Sequence, residues 1–144
     1  MPTNFPELTF ICQNVLSLNI SSKNSKTDLK ILAITRGSPD VVFLCDTRLN
    51  SRKQNAATHD HLKKFRLKGY NFIHNSKTSS RGVAVLIKKT ISWELHRKIE
   101  DPGDNYLILS ATINNYRFTL GAVYGPNQND LQFYDSLERH FSFG

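Results

Sequence analysis

Long apolar runs are missing from this chain of 144 residues, as are cysteine-rich motifs, internal repeats and low-complexity tracts. No apolar segment approaches the roughly 20 residues that a membrane-spanning helix needs, and no membrane is expected among the partners. The amino terminus, Met1-Pro2-Thr3-Asn4-Phe5-Pro6-Glu7, has neither the basic start nor the apolar segment of a secretory signal. An intracellular protein, nuclear or cytoplasmic and not secreted, is the expectation. The two cysteines, Cys12 and Cys45, are too few for a disulfide framework, and neither has a second Cys or a His beside it at metal-finger spacing. Each sits in an apolar run and reads as a small core residue, and in an intracellular chain a disulfide between them is not expected. Glycine is sparse, with seven residues, and no glycine-rich phosphate loop follows any strand-like segment, which counts against a nucleotide-binding α/β module.

What remains is the composition of an ordinary globular domain, with 39% apolar and 22% charged residues. Residues 1–144 suit one domain with one core. The net charge of +7 is unevenly placed: Arg48 to Glu100 carries thirteen Lys or Arg against Asp60, Glu94 and Glu100. Such a basic stretch suits a polyanion such as DNA or RNA, through phosphate contacts and counterion release. It would attract anionic membrane surfaces too, and it equally suits a solvated lysine-rich face, so charge alone does not choose.

The strongest local signal is Val41-Val42-Phe43-Leu44-Cys45 followed abruptly by Asp46-Thr47-Arg48. Five apolar positions after the turn Gly37-Ser38-Pro39-Asp40 predict a strand covered on both faces, as in an α/β sheet. Its polar end falls at the sheet rim where such folds bind ligands, which makes Asp46 the leading functional candidate. Upstream, Leu8 to Val15 predicts a first strand ending at Asn14. Thr27-Asp28 is placed to cap a short amphipathic helix stopped by Gly37. A strand-helix-strand unit of this kind favours a parallel pair, which would set Asn14 and Asp46 side by side.

Ser51 to Lys68 reads as a polar, basic loop, and its pair His59 and His61 lacks an obvious third metal ligand. Tyr70–His74 and Val83–Ile87 predict strands, the second buried, and Ile91–His96 a half-exposed one. Tyr106–Ile113 and Tyr116–Tyr124 flank Asn114-Asn115, a dipeptide suited to the positive φ of a two-residue hairpin turn. The second arm ends in Tyr124-Gly125-Pro126-Asn127. Asp101 to Asp104 reads as a loop, and a last helix from Asp130 would bury Leu131, Tyr134, Leu137 and Phe141.

Three strands therefore end in polar groups, at Asn14, at Asp46 with Arg48, and at Tyr124 with Asn127. A carboxylate can hold Mg²⁺, an amide and a phenol can bond phosphate oxygens, and an arginine can orient the acid or neutralise an anion.

In four segments the sequence resembles the endonuclease/exonuclease/phosphatase superfamily, and within it the apurinic-like endonuclease domains of non-LTR (LINE-type) retrotransposons. The segments are Gln13-Asn14-Val15-Leu16-Ser17-Leu18-Asn19, Asp40 to Leu49, Arg81-Gly82-Val83-Ala84-Val85-Leu86-Ile87, and Val123-Tyr124-Gly125-Pro126-Asn127. The resemblance implies part of a four-layer α/β sandwich, mixed β-sheets flanked by helices, that hydrolyses DNA phosphodiesters with Mg²⁺, or alternatively Mn²⁺. It assigns Asn14 and Asp46 to the metal and phosphate network, Arg48 to the basic position two residues on, Tyr124 to the scissile phosphate and Asn127 to the substrate. Catalytic roles thus fall on Asp46, Tyr124 and Asn14.

Two departures shape what this implies. Aspartate stands at position 46 where the family usually has glutamate, one methylene longer. The family's later motifs, Gly-Asp-x-Asn and Ser-Asp-His, do not follow, and His140 on its predicted helix does not match them. The domain is accordingly expected to lack its carboxy-terminal part, which leaves three readings: an incomplete Mg²⁺-dependent DNA endonuclease, a catalytically inactive nucleic-acid-binding remnant of one, or a phosphatase or phosphodiesterase of the same superfamily. A half-covered sheet is further expected to expose an apolar face and to favour self-association or a partner chain.

Overall fold

Side chains alternate across a strand, so the unbroken apolar run Val41–Cys45 must find apolar cover on two sides, and it does. In the computed structural model, which describes residues 7–18, 26–49, 69–78, 81–125 and 131–141, this run is the central strand β2 of a mixed sheet. The elements are β1 (Phe10–Asn14), α1 (Lys26–Thr35), β2 (Val41–Cys45), β3 (Tyr70–Asn75), β4 (Val83–Lys88), β5 (Trp93–Glu100), β6 (Tyr106–Ile113), β7 (Tyr116–Val123) and α2 (Leu131–Phe141). The first sheet has the order β1-β2-β4-β3 and the second β5-β6-β7. β1 and β2 run parallel and the other neighbours antiparallel.

The alternation sorts the core into layers. Val42, Leu44, Ala84 and Leu86 turn outward against Ile31 and Ile34 of α1. Val41, Val83, Val85 and Ile87 turn inward and meet Leu107, Leu109, Ala111, Ile113, Leu120 and Ala122 of the second sheet. On the far side of that sheet, Tyr106 and Ile108 take Phe133 of α2, with Ile99 and Leu137 beside them. Helix, sheet, sheet, helix makes four layers, the α/β sandwich that the motifs imply. Fully buried side chains such as Ile87, Leu107 and Leu109 each contribute roughly 1.5–3 kcal/mol by leaving water.

The β6–β7 hairpin closes through Asn114 and Asn115 with φ of 49° and 69°, the double positive φ that matches strand twist in a two-residue turn. Other expectations need correction. Cys12 is exposed on β1 at the sheet edge and is not a core residue, whereas Cys45 is partly buried, and both are free thiols. Burial pushes the Cys45 thiol up, with nearby Cys12 and Asp46 adding to the shift. Helix α1 starts at Lys26, ahead of the proposed Thr27-Asp28 cap. In α2 the residue driven into the core is Phe133, while Tyr134 is exposed. The inner sheet faces cover one another, so exposed apolar side chains are found instead at the edge strands, Phe10 on β1 with Tyr116 and Val123 on β7, and on α1 at Leu29 and Leu32. The Ser51–Lys68 loop with His59 and His61, and Asn127, lie outside the described residues. No helix among the described residues is long and apolar enough to cross a membrane.

Candidate active site

Parallel pairing brings the ends of β1 and β2 together, with Asn14 opposite Cys45. Beyond that point both chains leave the sheet through left-handed backbone, at Leu16 (φ 49°) and Ser17 (80°) on one side and at Asp46 (63°) and Arg48 (51°) on the other. Such a conformation costs a non-glycine residue roughly 1–2 kcal/mol, so something must hold it. The holding bonds come from both flanks: Ser17 N donates to Asp46 O at 2.7 Å and Leu18 N to Thr47 O at 2.9 Å, while Thr47 N and Arg48 N donate to Gly82 O and Arg81 O, each at 3.1 Å.

The kinked backbone sets the side chains of Asp46 and Arg48, two residues apart, fork to fork. Arg48 Nε donates to Asp46 Oδ1 at 2.6 Å and Arg48 Nη2 to Asp46 Oδ2 at 2.9 Å. The pair is lopsided in exposure, with the Asp46 side chain 1% exposed and that of Arg48 41%. The hydrogen bond to Asp46, then its charge, pushes the Arg48 guanidinium up from its ordinary value. Asn14 is exposed, and its Oδ1 accepts from Leu16 N at 3.1 Å, so the amide shapes the turn that leaves β1.

Tyr124, just past β7, is tied in by Arg81. The Arg81 guanidinium lies over the Tyr124 ring with 4.2 Å to its centroid. Its Nη2 donates to the carbonyls of Tyr124 (2.9 Å) and Gly125 (2.5 Å), and its Nε to Asn105 Oδ1 at 2.5 Å. Because Arg81 O also accepts from Arg48 N, one residue couples the Asp46–Arg48 turn of the first sheet to the tyrosine of the second.

A polar network secures this end of the sandwich. Buried Asn75 at the end of β3 donates to the carbonyls of Asp101 (2.8 Å) and Tyr106 (2.9 Å) and accepts from Lys77 Nζ. Buried Asp104 takes Thr78 N and Thr78 Oγ1 on Oδ2 at 2.9 and 3.1 Å, with Lys77 3.7 Å from Oδ1. Ser76 Oγ accepts from Leu49 N at 2.7 Å and donates to Arg81 O at 3.2 Å. Glu100, bonded by Lys98 and facing Lys77, has its carboxyl held below the usual range.

Of the candidate residues read from sequence, Asn14, Asp46, Arg48 and Tyr124 lie at this one end of the sandwich. Arg81 was not among them, although it opens one of the four family-like segments, because a lone arginine in a turn gives no local sign of its partners.

No family model matches the chain, and no curated protein matches it. Solved structures do. D. rerio TDP2 in complex with a single-stranded DNA product is 19% identical, with a TM-score of 0.61 over 95% of this chain and 56% of that one. An AP endonuclease from Archaeoglobus fulgidus is 17% identical, with a TM-score of 0.57 over 95% of this chain and 51% of its own. The fold is of the endonuclease/exonuclease/phosphatase type. TDP2 from C. elegans shares it at 17% identity, with a TM-score of 0.55 over 93% of this chain and 42% of that one. The chain therefore spans about half the length of the endonuclease/exonuclease/phosphatase-type structures it matches.

Residues for a divalent cation can be tested against this geometry. A hard cation of the Mg²⁺ type binds through one or two carboxylates and keeps several waters. Asp46 supplies one carboxylate, each oxygen retains acceptor capacity beside its single Arg48 bond, and Asn14 Oδ1 lies on the adjoining strand end. The donor set fits such an ion in kind. Among the described residues no group of three or more His, Cys, Asp or Glu gathers that would make a pure protein cage.

Proposed function

We propose that this chain is part of a Mg²⁺-dependent DNA endonuclease of the retrotransposon type. The observation that carries the reading is a buried carboxylate forked by a half-exposed arginine at the strand ends of one sheet, tied through Arg81 to a phenol at a strand end of the facing sheet. Asp46 and Asn14 would hold Mg²⁺, or Mn²⁺ in its place, and the ion when bound supplies neutralisation of phosphoryl charge. Arg48 offers a planar fork to a phosphate. The Tyr124 hydroxyl can donate to a phosphoryl oxygen, and Asn127 follows it in sequence as a substrate contact. The DNA product held by D. rerio TDP2, a protein of the same fold, agrees in substrate class.

Nicking of supercoiled plasmid with and without Mg²⁺ tests the proposal. Metal-dependent nicking that falls at least a hundredfold in Asp46→Ala is expected, and nicking unchanged by that substitution would sink it. The second reading is a non-catalytic DNA-binding remnant, favoured by one observation: both Asp46 oxygens already face a guanidinium. It predicts binding without any nicking. A phosphatase or phosphodiesterase of the same fold remains the third, tested by hydrolysis of small phosphoesters in place of plasmid.

Both DNA readings share an electrostatic outcome. Binding of a labelled duplex should weaken roughly a hundredfold as salt rises from about 50 to 200 mM, the behaviour of about four phosphate contacts. Affinity indifferent to salt would remove the role given to the basic Arg48–Glu100 stretch. Self-association through the edge strands belongs with these proposals, and sedimentation over a range of concentrations checks it.

A further inference from the structure

We infer that Arg48 is a latch on Asp46 which a phosphodiester opens, so that DNA and a divalent cation bind this site with positive coupling. The inference rests on the nuclease reading and deepens it. Its starting point is the lopsided pair: Asp46 is 1% exposed and both its oxygens are engaged by Arg48, whose own side chain is 41% exposed. A guanidinium and a divalent cation carry charge of the same sign and need the same carboxylate, so each weakens the other's hold. Without DNA the internal cation is already in place, and an incoming metal ion must compete with a two-bond fork. A phosphate changes the balance because it matches the arginine fork as well as a carboxylate does. Once Arg48 turns to it, Asp46 is left as a buried unpaired carboxylate, a costly state that a cation relieves. The turn's backbone is held by Ser17, Leu18, Arg81 and Gly82, so the side chain can move without unfolding the turn. Linkage then requires that DNA raise cation affinity by the same factor that the cation raises DNA affinity.

The experiment measures free Mn²⁺ by its electron spin resonance signal in titrations of the whole chain, with and without a short single-stranded DNA, after subtracting Mn²⁺ taken up by DNA alone. In the wild type, DNA should tighten Mn²⁺ binding about tenfold, within the usual range of coupling between sites. Arg48→Ala should bind Mn²⁺ about tenfold more tightly than wild type without DNA and gain nothing further from it. Asp46→Asn should lose the site in both conditions. If circular dichroism shows Arg48→Ala unfolded, Arg48→Lys serves: it keeps the charge but loses the fork, and should show tighter basal Mn²⁺ binding with coupling cut by more than half. Equal Mn²⁺ affinity with and without DNA in the wild type, or no tightening in the arginine variants, overturns the latch. Failure of the latch beside Asp46-dependent nicking leaves the nuclease reading standing, whereas a working latch in a chain that never nicks overturns only that reading.

Discussion

Gly82→Ala should lower the unfolding free energy by about 4 kcal/mol, a large share of the 5–15 kcal/mol typical of a domain. Gly82 has φ of +140°, a region that side chains avoid at a cost of roughly 1–3 kcal/mol. A Cβ there would also lie 2.3 Å from Ser76 Oγ and 2.4 Å from Thr47 Oγ1. Neither neighbour can retreat freely, because Ser76 Oγ holds Leu49 N and the Thr47 side chain is fully buried. Overpacking of this kind adds a further roughly 1–3 kcal/mol. Gly37→Ala is the control: φ is +79° but nothing lies within 4 Å of the added carbon, so only the backbone penalty of about 1 kcal/mol is expected. Urea unfolding of both variants reads the difference as a shift in midpoint at constant slope. A Gly82→Ala midpoint equal to that of Gly37→Ala would show that Ser76 and Thr47 yield to the added carbon and that the turn is less rigid than its hydrogen bonds imply.

The same region shows what a sequence discloses and what it hides. Val41–Cys45 and Val83–Ile87 announce a twice-covered sheet because side chains that alternate between two faces, all of them apolar, need cover on both. Asn114-Asn115 announces its hairpin because positive φ is a local requirement. Strand ends are legible for a similar reason, since the change from apolar to polar marks the rim where Asn14, Asp46 and Tyr124 stand. Contacts made across the fold leave no such trace. Asn75 meets the carbonyls of Asp101 and Tyr106, and Arg81 those of Tyr124 and Gly125, at sequence separations of 26 to 44 residues. Cys12 misleads because an apolar run does not tell a central strand from an edge strand. In α2 Leu137 of the stripe read from sequence does pack but Tyr134 does not, and only the position of Tyr106 and Ile108 makes Phe133 the buried aromatic.

Arg81→Ala carries the second large effect, because this side chain fastens the two sheets at the site. It gives up three hydrogen bonds to Asn105, Tyr124 and Gly125 and its seat on the Tyr124 ring. Bonds from a charged donor contribute about 1.5–3 kcal/mol each and an aromatic seat about 0.5–1 kcal/mol, but neighbouring terms do not add. With Arg81 only partly buried, a loss of about 3 kcal/mol in stability is expected, discounted for solvent. Tyr124→Phe separates this fastening role from chemistry: it keeps the ring under the guanidinium and removes only the hydroxyl. That variant should unfold within about 0.5 kcal/mol of wild type and, on the nuclease reading proposed above, lose most of the plasmid nicking which that reading predicts. Arg81→Lys should fall between, since an ammonium can reach one carbonyl but cannot span Asn105 and two carbonyls at once. If Arg81→Ala left stability untouched, the Asn75 and Asp104 bonds and the Lys77–Glu100 pair would suffice, among the described residues, to hold the two sheets at this end, and Tyr124 would owe its place to the hairpin that delivers it.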